Sequence, residues 1–269
     1  MTSTALTIAG SDSGGGAGIQ ADLKTFSALG VYGASAITAV TAQNTRSVAA
    51  VGEIPAKLVA AQIDAVLDDI EVHAVKVGML FTSEVTRTVA ARLRERSLPV
   101  VLDPVVVAKS GDALLREDAA AALIGEMLPL ATLVTPNLPE AARILGDAQA
   151  ASEEQMVAQA RALVRLGARA VLMKGGHGTG PTVTDFLVAG EAEPARLAAP
   201  RRETRNTHGT GCSLSSAVAA EPAKGRQLAD AVRRAHAWLQ QAICAADDLD
   251  VGSGHGPVHH FHAFWPRLG

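Results

Sequence analysis

The sequence predicts an α/β chain with a mostly parallel central sheet and helices on both of its faces. Three observations point there. Strand-like apolar runs alternate with helix-patterned segments from end to end. Glycine-rich loops open a helix near each end of the chain. Gly10, Gly78, Asp103, Pro136 and Gly175 each fall just after a strand-like run. In a parallel sheet those positions share the rim at the carboxyl ends of the strands, where such folds place their sites.

Taken in order, Leu6–Ala9 reads as a short buried strand. The helix Ile19–Leu29 sets Ile19, Leu23, Phe26 and Leu29 on one face, and Gly30 stops it. Ala34–Val40 and Val48–Ile54 read as strands, and Pro55–Leu67 as a helix entered through proline. Strand Val75–Met79, helix Ser83–Arg96, strand Val100–Asp103 and helix Ala119–Leu128 follow. Next come strand Leu133–Thr135, helices Leu138–Leu145 and Glu153–Leu166, and strand Ala170–Lys174. Thr182–Val188 and Ala195–Ala198 suit an antiparallel pair turning at Gly190. Gly211–Ala219 and Leu228–Asp247 are the last helices. With no internal repeat and no Pro-, Gly- or Ser-rich linker, residues 1–269 are expected to form a single domain.

The 269 residues are 48% hydrophobic but only 3% aromatic, so the core is expected to be aliphatic. The net charge is −3, and no basic block is interleaved with aromatics, which argues against nucleic acid as a partner. No apolar stretch approaches the ~18 residues of a membrane span. Two cysteines, Cys212 and Cys244, make no disulfide framework and show no zinc spacing, and they suit a reducing cytoplasm.

The two glycine loops carry the chemistry. Residues Gly10–Asp22 (GSDSGGGAGIQAD) and Asn206–Cys212 (NTHGTGC) each lead into a helix, whose unpaired first amides and positive dipole end suit an anion. Two such sites suggest an enzyme that handles phosphate. Within the first loop, Gly16-Ala17-Gly18-Ile19-Gln20-Ala21 matches the G-x-G-x-x-A dinucleotide pattern. No Asp or Glu lies between Leu23 and Gly52 to hold a ribose, so a nicotinamide-dependent oxidoreductase is the weaker reading. No Gly-Lys-Ser/Thr follows, so this is not a P-loop.

In the second loop Gly209, Thr210, Gly211 and Cys212 can aim successive amides at one transferring phosphate. Cys212, at the first turn, is expected to have a thiol acidified by the helix, able to accept a hydroxyl proton or only to orient the hydroxyl. A small buried hydrophobe is the plain alternative. Asp103, Asn137 and Glu140 are candidate Mg²⁺ ligands, with Asn137 and Glu140 one helical turn apart and equally suited to a capping box. Lys174, before Gly175-Gly176, is placed to meet a nucleotide phosphate.

With these residues laid out, the chain resembles the hydroxymethylpyrimidine/phosphomethylpyrimidine kinases of thiamine biosynthesis, a branch of the ribokinase-like superfamily. The resemblance runs through Thr7–Leu29, Ala42–Thr45 (AQNT), Lys76–Leu80 (KVGML), Leu102–Asp112, Thr135–Ala142 (TPNLPEAA), Leu172–His177 (LMKGGH), Asn206–Cys212 and Pro257–His262 (PVHHFH). It implies a ribokinase-like fold, ATP and Mg²⁺ as cofactors, and a homodimer. It implies phosphorylation of 4-amino-5-hydroxymethyl-2-methylpyrimidine to its monophosphate and then to the diphosphate. Pyridoxal or pyridoxine is the alternative substrate within the superfamily.

By the same resemblance Gly10, Asp22, Gln43, Met79 and Val105 line the pyrimidine pocket. Residues Gly209–Cys212 form the anion hole, Asp103 and Glu140 help hold Mg²⁺, and Lys174 and Thr210 meet ATP. The Ala108–Gly111 loop resembles the family's lid. The chain departs from the pattern in the last long helix, where His236 stands in place of the usual phosphate-reaching lysine. A neutral imidazole lacks that fixed charge, so ATP affinity is expected to fall more steeply with rising pH.

Overall fold

The computed structural model describes residues 1–105 and 117–265. The lid-like Ala108–Gly111 segment lies outside them.

Six strands form the parallel centre of the sheet: β1 (Thr4–Asp12), β2 (Tyr32–Gln43), β4 (Ala74–Val77), β5 (Val100–Leu102), β6 (Leu133–Val134) and β7 (Ala170–Met173). Antiparallel strands close both edges, β3 (Val48–Glu53) beside β2 and the pair β8 (Thr182–Ala189) and β9 (Ala195–Pro200) beside β7. The order among the described residues is β3-β2-β1-β4-β5-β6-β7-β8-β9. From β1 the chain steps outward to β2 and later returns to β1's other side as β4. That reversal is a topological switch point, and a crevice opens there beyond the strands' carboxyl ends.

The helices are α1 (Gly18–Ala28), α2 (Ala56–Asp69), α3 (Ser83–Arg94), α4 (Glu117–Ala122), α5 (Leu138–Leu145), α6 (Glu153–Arg165), α7 (Thr210–Ala223) and α8 (Leu228–Cys244). Strand side chains alternate between two cores. Leu6, Ile8, Val75, Val77, Leu102, Val134 and Val171 face α2, α3, α5 and α6. Ala5, Ala74, Val101, Leu133 and Ala170 face α7 and α8. The second face carries smaller strand residues, and α7 meets it with Ser213, Ser215, Ser216, Ala217, Ala219 and Ala220, all fully buried. Small side chains let α7 approach the sheet closely, and that brings its first turn to the crevice.

Several boundaries differ from expectation. β2 runs Tyr32–Gln43, and α7 runs on to Ala223. β1 runs on to Asp12, pairing Ser11 with Val40 and Asp12 with Thr41 after a register shift, so Gly10 lies within the strand rather than after it. The expected helix Ala119–Leu128 gives way to a widened turn at Leu123–Met127 and a tight one at Leu128–Leu130. Pro129 lacks the amide to continue a regular helix there. The last helix stops at Cys244, and a separate short turn spans Ala246–Asp248.

Candidate active site

A cavity of about 800 Å³ opens at the switch point. Of the residues the sequence singled out, its lining brings together Gly10, Gln43, Met79, Val105 and Lys174 with Asp103, Asn137, Glu140 and Gly209–Cys212. Two expected members do not line it. Asp22 is fully buried: its carboxylate accepts from Thr7 Oγ1 (2.6 Å), Ser216 Oγ (2.7 Å) and Lys76 Nζ (2.9 Å). It has no face left for a substrate. His236 sits behind the cavity wall, with Nε2 3.9 Å from Asp185 Oδ2 and no hydrogen-bond partner among the described residues. Leu239, Gln240 and Ile243 are the α8 residues that line the cavity, so His236 does not stand where the expected pH dependence of ATP affinity requires it.

The first glycine loop is not an open anion site. Asp12 fills it, accepting from Gly14 N (2.8 Å) through Oδ1 and from Gly16 N (3.1 Å) and Ala17 N (2.9 Å) through Oδ2. Burial opposes its charge, but the His208 contact and these amides hold the carboxyl below its ordinary range. His208 Nε2 lies 2.9 Å from Asp12 Oδ2 and 3.3 Å from the Gln43 side-chain nitrogen. One ring nitrogen cannot donate to the first and accept from the second, and the Nε2–H donates to the Asp12 carboxylate, the stronger acceptor contact. The Gln43 amide, half-buried at the cavity wall, can then turn toward a ring edge and offer both donor and acceptor.

The second loop is an open helix start. Gly209 caps α7 at φ +75°, and any Cβ there would strike Gly16 O, so glycine is required both for the turn and for the close approach of the two loops. Thr210 Oγ1 donates to Thr207 O (2.7 Å) and ties the loop down, while the amides of Gly211 and Cys212 have no preceding turn to accept them. The Cys212 thiol is not acidic as expected. Burial pushes it up to about 11, against the opposing pull of the Lys76 charge. Desolvation outweighs the helix dipole here, so the thiol keeps its proton at neutral pH.

Asp103, at the end of β5, shares the Lys174 ammonium with Glu140. Lys174 Nζ is 3.0 Å from Asp103 Oδ1 and 3.9 Å from Glu140 Oε2. Burial works against the Asp103 charge, but Lys174 and then Lys76 hold its carboxyl low. Glu140 is pushed up to about 7, chiefly by burial, with Lys174 opposing. The capping box is present: Asn137 Oδ1 accepts from Glu140 N (2.9 Å), and Glu140 Oε2 accepts from Asn137 N (2.7 Å). Asn137 thus fixes Glu140 and spends its own oxygen on the cap. Among the described residues no cluster of three or more His, Cys, Asp or Glu could hold a metal. The Asp103–Glu140 pair fits an ion that takes one or two carboxylates and completes its shell with phosphate oxygens and water, as Mg²⁺ does.

Sequence reasoning passed over four residues here. Lys76 is a charge in the apolar run Ala74-Val75-Lys76-Val77, itself a signal of a buried partner. Asp12 and His208 lie inside the quoted motifs, but their pairing spans 196 positions. Asp185, buried on β8, accepts from Gly175 N (2.9 Å) and shapes the loop after Lys174.

The family model for phosphomethylpyrimidine kinase matches residues 12–259. A hydroxymethylpyrimidine/phosphomethylpyrimidine kinase of Rhizobium meliloti is 60% identical over 265 residues, covering 98% of this chain and 99% of that protein. The ADP complex of Bacillus subtilis pyridoxal kinase superposes with a TM-score of 0.89 at 36% identity, covering 98% of this chain and 99% of that one. A phosphomethylpyrimidine kinase of Clostridium difficile gives 0.79 at 42% identity, covering 89% of this chain and 99% of that one.

Proposed function

The chain belongs to the phosphomethylpyrimidine kinase family, and we propose that one cavity carries out both of its transfers. It is a kinase of thiamine biosynthesis, acting on hydroxymethylpyrimidine and then on the monophosphate. The observation that carries the one-cavity reading is that Gln43 and Met79 line the same space as the open start of α7 and Lys174. An amide suited to an aminopyrimidine edge and groups suited to phosphate share one space.

In this reading Gln43 binds the ring and Met79 lies against its face. Gly10 leaves room for Met79, since a Cβ there would sit 2.5 Å from Met79 Cε. The Cys212 thiol, protonated at neutral pH, orients the attacking hydroxyl. The amides of Gly211 and Cys212 meet the oxygens on which charge spreads during transfer. Lys174 meets ATP, and Asp103 and Glu140 would hold Mg²⁺, which when bound neutralises phosphate charge. In the first transfer the new O–P bond forms at the hydroxymethyl oxygen, and the hydroxyl proton passes to the phosphoryl group or solvent. In the second it forms at an oxygen of the monophosphate, and each time the bond from the transferred phosphorus to ADP breaks. The reading includes a homodimer in the cytoplasm.

Replacing Gln43 with alanine tests the ring assignment. KM for hydroxymethylpyrimidine is expected to rise several-fold to about tenfold, the worth of one or two hydrogen bonds, with KM for ATP little changed. A rise in KM for ATP alone would place Gln43 elsewhere.

A further inference from the structure

The mechanism above leaves one buried cation unused. Lys76, on β4, has no exposed surface, yet it is among the residues that line the cavity. By strand alternation it points to the α7 face with Ala74, away from Val75 and Val77. Its Nζ donates to both oxygens of Asp22, at 3.0 and 2.9 Å. Ser216, four residues beyond Cys212 on α7, donates to Asp22 Oδ1 at 2.7 Å. Residues four apart share a helix face, so the pair lies along the face of α7 that carries Cys212.

The pair is oriented. Lys76 is among the cavity-lining residues, and its charge acts on Cys212 and Asp103, which line the cavity too. The Asp22 carboxylate does not line it and is also held by Thr7 and Ser216, so the positive end is the one toward the site. Lys174, by contrast, is spent on carboxylates that line the cavity themselves. A buried ion pair between alanine-lined elements is a poor source of stability, because apolar residues of similar volume serve as well or better. Its orientation suits a reaction that gathers negative charge at the start of α7. Burial opposes the charge of Lys76, but Asp22 raises its affinity for the proton above the ordinary lysine range, so it stays charged at any working pH.

We propose that Lys76 is a further functional residue of the transfer site: anchored by Asp22, its ammonium supplies fixed positive charge to the transferring phosphoryl group from the floor of the cavity. This rests on the kinase reading above. The charge acts on the transition state more than on bound nucleotide.

Lys76→Met alone would strand a buried carboxylate and threaten folding, so the test is the double variant Lys76→Met/Asp22→Asn. Lys76→Gln, which keeps a donor for Asp22, serves if the double variant is unstable. Four quantities are read beside the parent protein: kcat with hydroxymethylpyrimidine, KM for each substrate, thermal midpoint, and calorimetric binding of Mg·ADP with and without aluminium fluoride. The expected result is a kcat lower by on the order of 10²–10³, as for loss of an oxyanion-site donor, with Mg·ADP affinity and thermal midpoint nearly unchanged. The extra affinity for Mg·ADP with aluminium fluoride, a mimic of the transferring group, falls by a similar factor. Unchanged kcat and unchanged aluminium fluoride binding would overturn the proposal. So would a loss of activity that only follows a loss of thermal stability and nucleotide binding. If the parent protein transfers no phosphate in the same assay, the kinase reading falls, and this inference with it.

Discussion

A cysteine at a helix start is ordinarily among the most acidic thiols in a protein, yet Cys212 is pushed the other way, up to about 11. In the proposed reading, a group that keeps its proton at neutral pH orients a hydroxyl rather than deprotonating it in advance. The rate is therefore expected to be nearly level between about pH 8 and 9.5, where a thiolate base would give a climb of about tenfold per pH unit. Cys212→Ser, which keeps an O–H at that point, should retain activity within about tenfold, and Cys212→Ala should lose on the order of 10²-fold. Initial rates of the three proteins across that range check both statements. At this scale the Gly209–Cys212 turn was legible because its glycines are local, whereas Gln43 and Met79 entered through the family resemblance, and the cavity lining includes all of them. The sequence was not legible where burial decides, because no local pattern shows that Asp22 is enclosed by Thr7, Lys76 and Ser216.

Elements position these groups through their ends. Helix α5 begins on the Asn137–Glu140 capping box, so the cap and the candidate metal carboxylate are one structure. Glu140 sits at about 7, above the 4.5 of an unburied glutamate. Between those values the folded state holds more protons than the unfolded one, so this group's contribution to stability falls as pH rises through that interval. Metal binding runs in the opposite direction, because the ligand must lose its proton. The Mg²⁺ concentration for half-maximal rate is expected to fall as pH rises from 6 to 8. In Glu140→Gln it should be higher and largely free of that slope, and Mg²⁺ titrations at several pH values read it directly. Apolar periodicity and the Asn-x-x-Glu spacing made α5 legible to the residue. β1 was read too short because its last third, Gly10–Asp12, is polar and is held in the sheet by pairing with β2, information that lies some 30 residues away.

At the scale of the whole molecule, the reversal of strand order between β1 and β4 opens the crevice, and the small-residue α7 brings the second glycine loop to it. The two loops lock together. Gly209 packs against Gly16 O, and His208 closes onto Asp12, which has already filled the first loop. The alternation of strands and helices made the sheet and its active rim legible. Strand order and loop pairing were not, since both are set by contacts between distant segments. For the same reason a loop read as a phosphate site proved to carry its own carboxylate, which leaves the second loop as the open helix start in the cavity.

The central claim is that this one cavity transfers phosphate twice. A mass-spectrometric time course with purified protein, Mg·ATP and hydroxymethylpyrimidine, with pyridoxal run in parallel, tests it most directly. The account predicts that the pyrimidine monophosphate rises first and is then consumed as the diphosphate accumulates. A reaction that halts at the monophosphate, or one that phosphorylates pyridoxal alone, would contradict it.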